Sequence, residues 1–383
     1  MTSNNKGTYL QSLGTLQLAA VIAVVLGHFW LDDSVYMNSV GVSFCFVYSG
    51  YFTAMRHKFG QGYGLRAHAA FLRDKLAKLY PLHVLGMALG ILAGMLAWGG
   101  IVSPKVLLAH LTLTSSWIPN PAYYFGANPV AWFVCDLFFL YLMAPIVVPN
   151  LRRLAPGWQV ALIAALLMLE FIGGYTSGAG SGAPLLNNYT LYQFPPIRLL
   201  DFATGVVICN IGGTLTWRRL QERLTSLASS IIEVVAIVLF LVLYRAGKDL
   251  IHAHCFRAFC ASAPAIVLFF TSFILTSRRR GVVSRLLCIQ PLTALSRVSA
   301  EVYLLQYGVY FLIEHLCKQV GLHQQPVPYF VIQMAGLLLT VWLAHRYYVL
   351  PMGSRLRGKQ RIRSNSGAPK IKSFQKTAQS DKP

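Results

Sequence analysis

Ten stretches of the chain are almost free of charge and rich in Leu, Val, Ile, Ala and Phe: 9–30, 38–55, 79–102, 129–149, 157–175, 196–213, 229–246, 257–276, 292–315 and 327–350. Each is close to the roughly 20 apolar residues that carry a helix across the hydrocarbon of a bilayer. Polar and basic residues collect in the connections between them. A spanning segment must satisfy its own backbone hydrogen bonds, so the pattern predicts an all-α membrane bundle of about ten transmembrane helices. An even number of spans puts both termini on one side. The first run also holds two polar groups, Gln17 and His28. Eleven residues are close to three helical turns, so both project from one side of the helix, about 16 Å apart along its axis.

Composition supports this pattern. Of 383 residues, 55% are hydrophobic and 12% charged, too apolar a balance for a soluble protein of this length. The net charge of +21 would suit a nucleic-acid binder, but the cations sit in short connections and in the C-terminal tail, with no basic surface interleaved with aromatics. With the N-terminus inside, 27 of the 33 Lys and Arg residues fall on the inner side, the bias that orients membrane proteins. Residues 1–350 then form the membrane domain, and 351–383 a basic, Ser-rich cytoplasmic tail expected to be disordered against anionic headgroups. The first run has no small-residue cleavage site after it and is expected to stay as a span. The seven cysteines lack Cys-x-x-Cys spacing and are expected to pack as small apolar residues, with Cys255 and Cys260 able to pair if their loop lies outside. No metal-ligand spacing is present among the histidines.

Six motifs, in order, carry a resemblance. Leu13-Gly-Thr-Leu-Gln17 followed by His28 resembles the Leu-Asp-x-Leu-Arg…His of the membrane acyltransferase-3 family, which includes the O-acetyltransferases of bacterial surface polysaccharides and Nod factors. Gly41-Val-Ser-Phe-Cys-Phe-Val-Tyr-Ser-Gly50-Tyr is similar to its Gly-Val-Asp-x-Phe-Phe-Val-Leu-Ser-Gly-Phe. Phe71-Leu-Arg-Asp-Lys-Leu-Ala-Lys-Leu-Tyr-Pro81 resembles the basic Arg-x-Tyr-Pro start of its third helix. Ala131-Trp-Phe-Val-Cys-Asp136 resembles Trp-Ser-Leu-Ser-x-Glu, and Pro196-Ile-Arg-Leu-Leu-Asp201-Phe-Ala-Thr-Gly205 resembles Pro-x-Arg-x-x-Glu-Phe-x-x-Gly. Ser296 to Gln306 resembles a late helix that often ends in His. The resemblance implies transfer of an acyl group, acetyl in the simplest case, from acyl-CoA to a hydroxyl of a cell-surface or exported carbohydrate. It also implies a multi-pass protein of the bacterial inner membrane, acyl-CoA as co-substrate with no permanently bound cofactor, and glycan-synthesis or export proteins as possible partners. The chain departs from the family at Gly14, Gln17 and Ser43, and carries Asp136 and Asp201 where the family has Glu. A Gln donates a neutral hydrogen bond but offers no fixed charge.

Acyl transfer to a hydroxyl needs a base, donors for the oxyanion and an aligned thioester. His28 suits the base because imidazole titrates near neutral pH; the alternative is a ring snorkelling to the interface. Asp32, at i+4, either orients that ring or belongs to a solvated loop with Asp33. Asp136 is the second catalytic candidate, the alternative being a partner for a buried Arg. Gln17, Arg73, Lys75 and Lys78 are candidate coenzyme A contacts, the last three also explicable as ordinary inner-side charge. Ser49, Trp132, Arg198 and Asp201 are candidate substrate contacts, with Arg198 and Asp201 alternatively an intrahelical ion pair and Tyr48, Ser49 and Gly50 a close helix crossing. Glu170, Glu233 and Glu301 in apolar runs are expected to face a cavity or a partner. The segment Trp117–Tyr124 reads as a sugar-stacking lip or an interfacial aromatic belt. A transporter or flippase on the same helices, without covalent chemistry, is the main rival to an enzyme.

Overall fold

Helices cover all ten apolar runs. The computed structural model describes residues 3–30, 37–60, 62–177, 189–249, 255–278, 280–324, 326–353 and 355; it is 86% helix, with no strand among the described residues. In chain order the helices are α1 (Ser3–Phe29), α2 (Met37–Arg56), α3 (Leu65–Trp98), α4 (Pro104–Leu111), α5 (Pro121–Tyr124), α6 (Trp132–Arg153), α7 (Pro156–Ser177), α8 (Pro195–Gly212), α9 (Leu215–Arg223), α10 (Ser226–Asp249), α11 (Cys255–Thr276), α12 (Val282–Leu286), α13 (Gln290–Leu295), α14 (Ser299–Gln319) and α15 (Pro326–Ala344). Short 3-10 turns and two π-helical turns, Tyr189–Gln193 and His345–Val349, join or extend them.

Among the described residues, five helical segments are long and apolar enough to cross a membrane: Gln11–Phe29, Leu65–Trp98, Trp132–Arg153, Ser226–Arg245 and Val327–Gly353. A sixth is possible if Pro195–Gly212 and Leu215–Arg223, bent by 71° at their junction, make one span. α2 and α14 are long enough but more polar. They also lie deepest, with Val40 to Val47 and Glu301 to Gln306 buried. Ser43, Thr53, Glu301 and Gln306 are tolerated there because they face neighbouring helices and not lipid.

Two boundaries differ from the sequence pattern. The third helix starts at Leu65, well before 79, and runs unbroken through Pro81 for 34 residues, so its basic first half is part of the same rod. The ninth run breaks into α13, a 3-10 turn at Ser296–Val298 and α14. The connection after α3 is folded as well. Gly99 takes a left-handed conformation (φ 64°) that closes α3, its N–H bonding to the Met95 carbonyl. Ser103-Pro104 and Asn120-Pro121 then start α4 and α5, each with a capping side-chain oxygen and Pro in the first turn.

Glycines set the closest contacts. A Cβ at Gly50 would lie 1.9 Å from the Phe202 carbonyl oxygen, and one at Gly205 would lie 1.9 Å from that of Val47. α2 and α8 therefore cross backbone to backbone, as small residues allow inside membranes. One apolar core, including Val24, Phe46, Leu140, Phe202 and Leu305, joins α1, α2, α6, α8 and α14. A second, including Leu13, Phe44, Ile266 and Phe270, seats α11 against α1 and α2. Glu233 on α10 belongs to this framework. It accepts from the Thr276 hydroxyl (2.9 Å), the backbone N–H groups of Gly281 (2.9 Å) and Ser284 (3.0 Å), and the Ser284 hydroxyl (2.6 Å), and so pins the start of α12.

Candidate active site

α1 ends beside the middle of α14, and His28 meets Gln306 there. His28 Nδ1 stands 3.2 Å from Gln306 Oε1, while Gln306 Nε2 donates to the Tyr303 carbonyl at 2.9 Å. A carbonyl can only accept, so this second bond fixes the amide orientation and leaves Oε1 as the acceptor facing His28. His28 Nδ1 therefore carries the proton, and the neutral ring presents its lone pair at Nε2. The half-buried ring packs against Phe29 and Tyr307, with centroids 5.8 and 5.1 Å away. This is the arrangement expected of a base held in one tautomer, and Gln306 supplies it at the position where the late family motif often has His.

A second polar group lies between α2, α6 and α8. Arg198 is 1% exposed. Its Nη1 donates to Asp201 Oδ2 at 2.9 Å and to Ser43 Oγ at 3.2 Å, and its Nε to the Tyr192 carbonyl at 2.6 Å. The Ser43 hydroxyl also donates to Asp201 Oδ2, at 3.1 Å. The rings of Tyr192, Phe46 and Trp132 surround the guanidinium at 4.4, 5.6 and 5.9 Å. Arg198, Asp201 and Trp132 thus come together, as an enclosed charge cage built from three helices and not merely an intrahelical pair. Asp136, on α6, is fully buried. The Ser116 hydroxyl and the Arg198 guanidinium are close enough to act on its charge, yet neither carboxylate oxygen is met in hydrogen-bonding geometry among the described residues. Tyr303 stands between this cage and His28. Its ring packs on Phe133 at 4.9 Å and is within electrostatic reach of Asp136, while its carbonyl holds Gln306.

The basic cluster of α3 divides. Lys75 turns inward, its Nζ 4.6 Å from the Tyr141 ring centroid and 5.3 Å from that of Phe71. Arg73 and Lys78 stay exposed. Ser49 donates to the Tyr141 hydroxyl at 3.0 Å, so it belongs with Lys75 and not with Arg198. Gln17 is half-buried on α1. His57, in the loop after α2, is held below its ordinary range by burial, with the Lys75 and Arg56 charges adding to the effect.

Sequence reasoning expected a cavity or a partner for Glu301 but did not name His345. Glu301, 3% exposed, faces His345 across 2.8 Å, joining α14 to the π-helical turn that follows α15. The segment Trp117–Tyr124 stays mostly exposed and is anchored at its two ends: Trp117 packs edge-on to Phe139, and the buried Tyr124 stacks on Tyr189. Among the described residues Cys45, Cys135, Cys209 and Cys317 are free thiols. Asp32, Asp33, His252, His254, the tail from 356 and the side chains of Glu170, Cys255, Cys260 and His323 lie outside the described residues.

Comparison with known proteins adds three findings. A family model described as an acyltransferase domain matches residues 10–346. Acyltransferase MdmB of Streptomyces mycarofaciens is 28% identical over 239 residues, covering 55% of this chain and 59% of that protein, so the likeness spans less than two thirds of the relative's length. No solved structure matches the chain. The matched region runs from α1 to the turn after α15 and contains the His28–Gln306 pair and the Arg198 cage; the chain belongs to the membrane acyltransferase-3 family.

Proposed function

We propose that this protein transfers an acyl group, acetyl in the simplest case, from acyl-CoA to a carbohydrate hydroxyl, with His28 as general base. The observation that carries this is the His28–Gln306–Tyr303 chain, which leaves Nε2 as the free lone pair. In the step, Nε2 takes the hydroxyl proton as the acceptor oxygen bonds to the thioester carbonyl carbon. The C–S bond then breaks, and the coenzyme A thiolate leaves with the proton that the imidazolium returns. Lys75, with Arg73 and Lys78 at the surface, is the natural contact for the coenzyme phosphates. Gln17 lies on the way from that end to His28. Asp136 and the Arg198–Asp201 cage act behind the reacting atoms, setting the field and shape of the interior.

The same proposal includes orientation. Ten helices cross the bacterial inner membrane with both termini cytoplasmic, so that the basic half of α3 meets cytosolic acyl-CoA and the acceptor is engaged from the outer side.

Thiol release from acetyl-CoA by the full-length protein in nanodiscs, together with mass spectrometry of acylated glycans in cells, tests the reaction. Wild type should release thiol and acylate, and His28→Ala at equal abundance should not. Movement of intact substrate without thiol release would support a flippase instead.

A further inference from the structure

The Tyr307 ring that packs on His28 at 5.1 Å has a second neighbour. It also lines a cavity of about 670 Å³, open on one side, between the far half of α3, the α4–α5 segment and α14. Trp98, Val106, Phe125 and Phe311 form much of its wall, with Gly94 and Gly100 leaving the space open. Among the described residues, the only side-chain polar groups on the wall are the Ser103 and Tyr307 hydroxyls and the Trp98 indole, with no carboxylate, amine, guanidinium or imidazole. Such a surface cannot compensate the phosphates of a coenzyme or an anionic glycan. It does fit an uncharged ligand, and its volume lies within the about 300–1,000 Å³ of pockets for drug-sized molecules.

Its position excludes the donor's charged end by a second route. The cations of α3 are Arg66, Arg73, Lys75 and Lys78. From Lys75 to the cavity glycine Gly94 the helix rises about 28 Å. The α3 cations and the cavity therefore sit at opposite ends of one rod, the exposed Lys105 of α4 is not on the cavity wall, and one aromatic ring separates the cavity from His28.

We propose that this cavity binds the acceptor, and that the acceptor is an uncharged amphipathic molecule. Its hydroxyl-bearing sugar unit faces His28 past Tyr307, and its apolar body fills the space between Trp98, Phe125 and Phe311. This rests on the transfer chemistry proposed above and narrows its acceptor from carbohydrates in general to glycosides of an apolar body.

Two glycines allow a steric test. A Cβ at Gly94 has its nearest neighbour at 4.0 Å, and one at Gly100 at 3.8 Å, so larger side chains there grow into the cavity. At Gly90 and Gly126 a Cβ would meet backbone oxygens at 2.3 Å, and substitution would disturb the fold. Full-length protein in nanodiscs would be irradiated with octyl glucoside bearing a diazirine on its alkyl chain, below its micellar concentration. Parallel samples would receive diazirine-bearing glucose, fatty acyl-CoA and phospholipid. The alkyl glucoside should label peptides within 90–129 and 307–311, and Gly94→Leu or Gly100→Leu should cut that labelling at least fivefold in monodisperse protein. It should also stimulate thiol release from acetyl-CoA at least tenfold more than glucose does. Labelling elsewhere, labelling that neither variant reduces, or stronger labelling by the acyl-CoA or phospholipid probe would overturn the assignment. Cavity labelling without thiol release would instead sink the transfer chemistry and leave the cavity's ligand class standing. Thiol release stimulated equally by glucose, with no cavity labelling, would do the reverse.

Discussion

At the scale of the residue, an amide holds the candidate base. Gln306 neither gains nor loses a proton, so the hydrogen bond to His28 Nδ1 points one way at every pH at which the ring is neutral. His28→Ala should lower turnover by about 100-fold or more, the ordinary worth of a general base. Gln306→Leu should lower kcat by roughly 10- to 100-fold, with the KM for acyl-CoA little changed, because it frees the ring without touching the donor; initial rates of thiol release measure both. Arg198 gives a stability prediction. Arg198→Leu leaves the Asp201 carboxylate buried without its partner, and breaking such a pair costs about 3–5 kcal/mol. The melting temperature of detergent-purified protein should fall sharply and recover in part when Asp201→Leu is added. His110, on α4 outside the candidate spans, gives a pH dependence. Burial holds it down at about 4, against 6.5 in an open chain. The unfolded chain thus takes up a proton first, and stability falls as pH drops from about 6.5 to about 4, by up to about 3 kcal/mol. Melting curves across that window should be flatter for His110→Gln. Much of this detail was hidden in the sequence. His28 stood out as an imidazole in an apolar run, and Gln306 fell in a motif, but nothing local says that two groups 278 positions apart will touch. Arg73 and Lys75 looked alike, and only the turn of the helix sends one inward.

At the scale of the element, the apolar runs were legible because lipid demands long uncharged helices, and the deviations have physical causes. The start of α3 was misplaced because its first turns carry Arg66, Arg73, Lys75 and Lys78. Charge marks the edge of a span and not the end of a helix, and Ala, Leu and Lys there are good helix formers. The break before α14 was invisible because Thr293 and Ser296 bond back to their own turn carbonyls, a choice composition does not reveal. His345 falls inside the last apolar run with nothing local to mark it, and its pairing with Glu301 depends on where α15 docks. The crossing of α2 and α8 was better signposted, by Gly50 and Gly205. Gly50→Ala and Gly205→Ala should each prevent that packing and give aggregated protein on size-exclusion chromatography. Gly157→Ala, which meets open space, should elute as wild type.

At the scale of the whole molecule, charge sorts the ends of the bundle, and the proposed topology can be read directly. In a variant freed of reactive native thiols, single cysteines at positions 64 and 214 should be labelled by membrane-impermeant reagents only from the cytoplasmic face, and at positions 100 and 120 only from the opposite face. Reversed or mixed labelling would remove the assignment of Lys75 to the donor side. One consequence comes from α3 alone. It is a single rod of 34 residues, about 51 Å long, that carries the lysine at one end and a wall of the cavity at the other. A strut of fixed length cannot shorten when the lipid around it thins; it must tilt instead. Turnover should therefore depend on the chain length of the host phospholipids, with an optimum where the rod stands at its native angle.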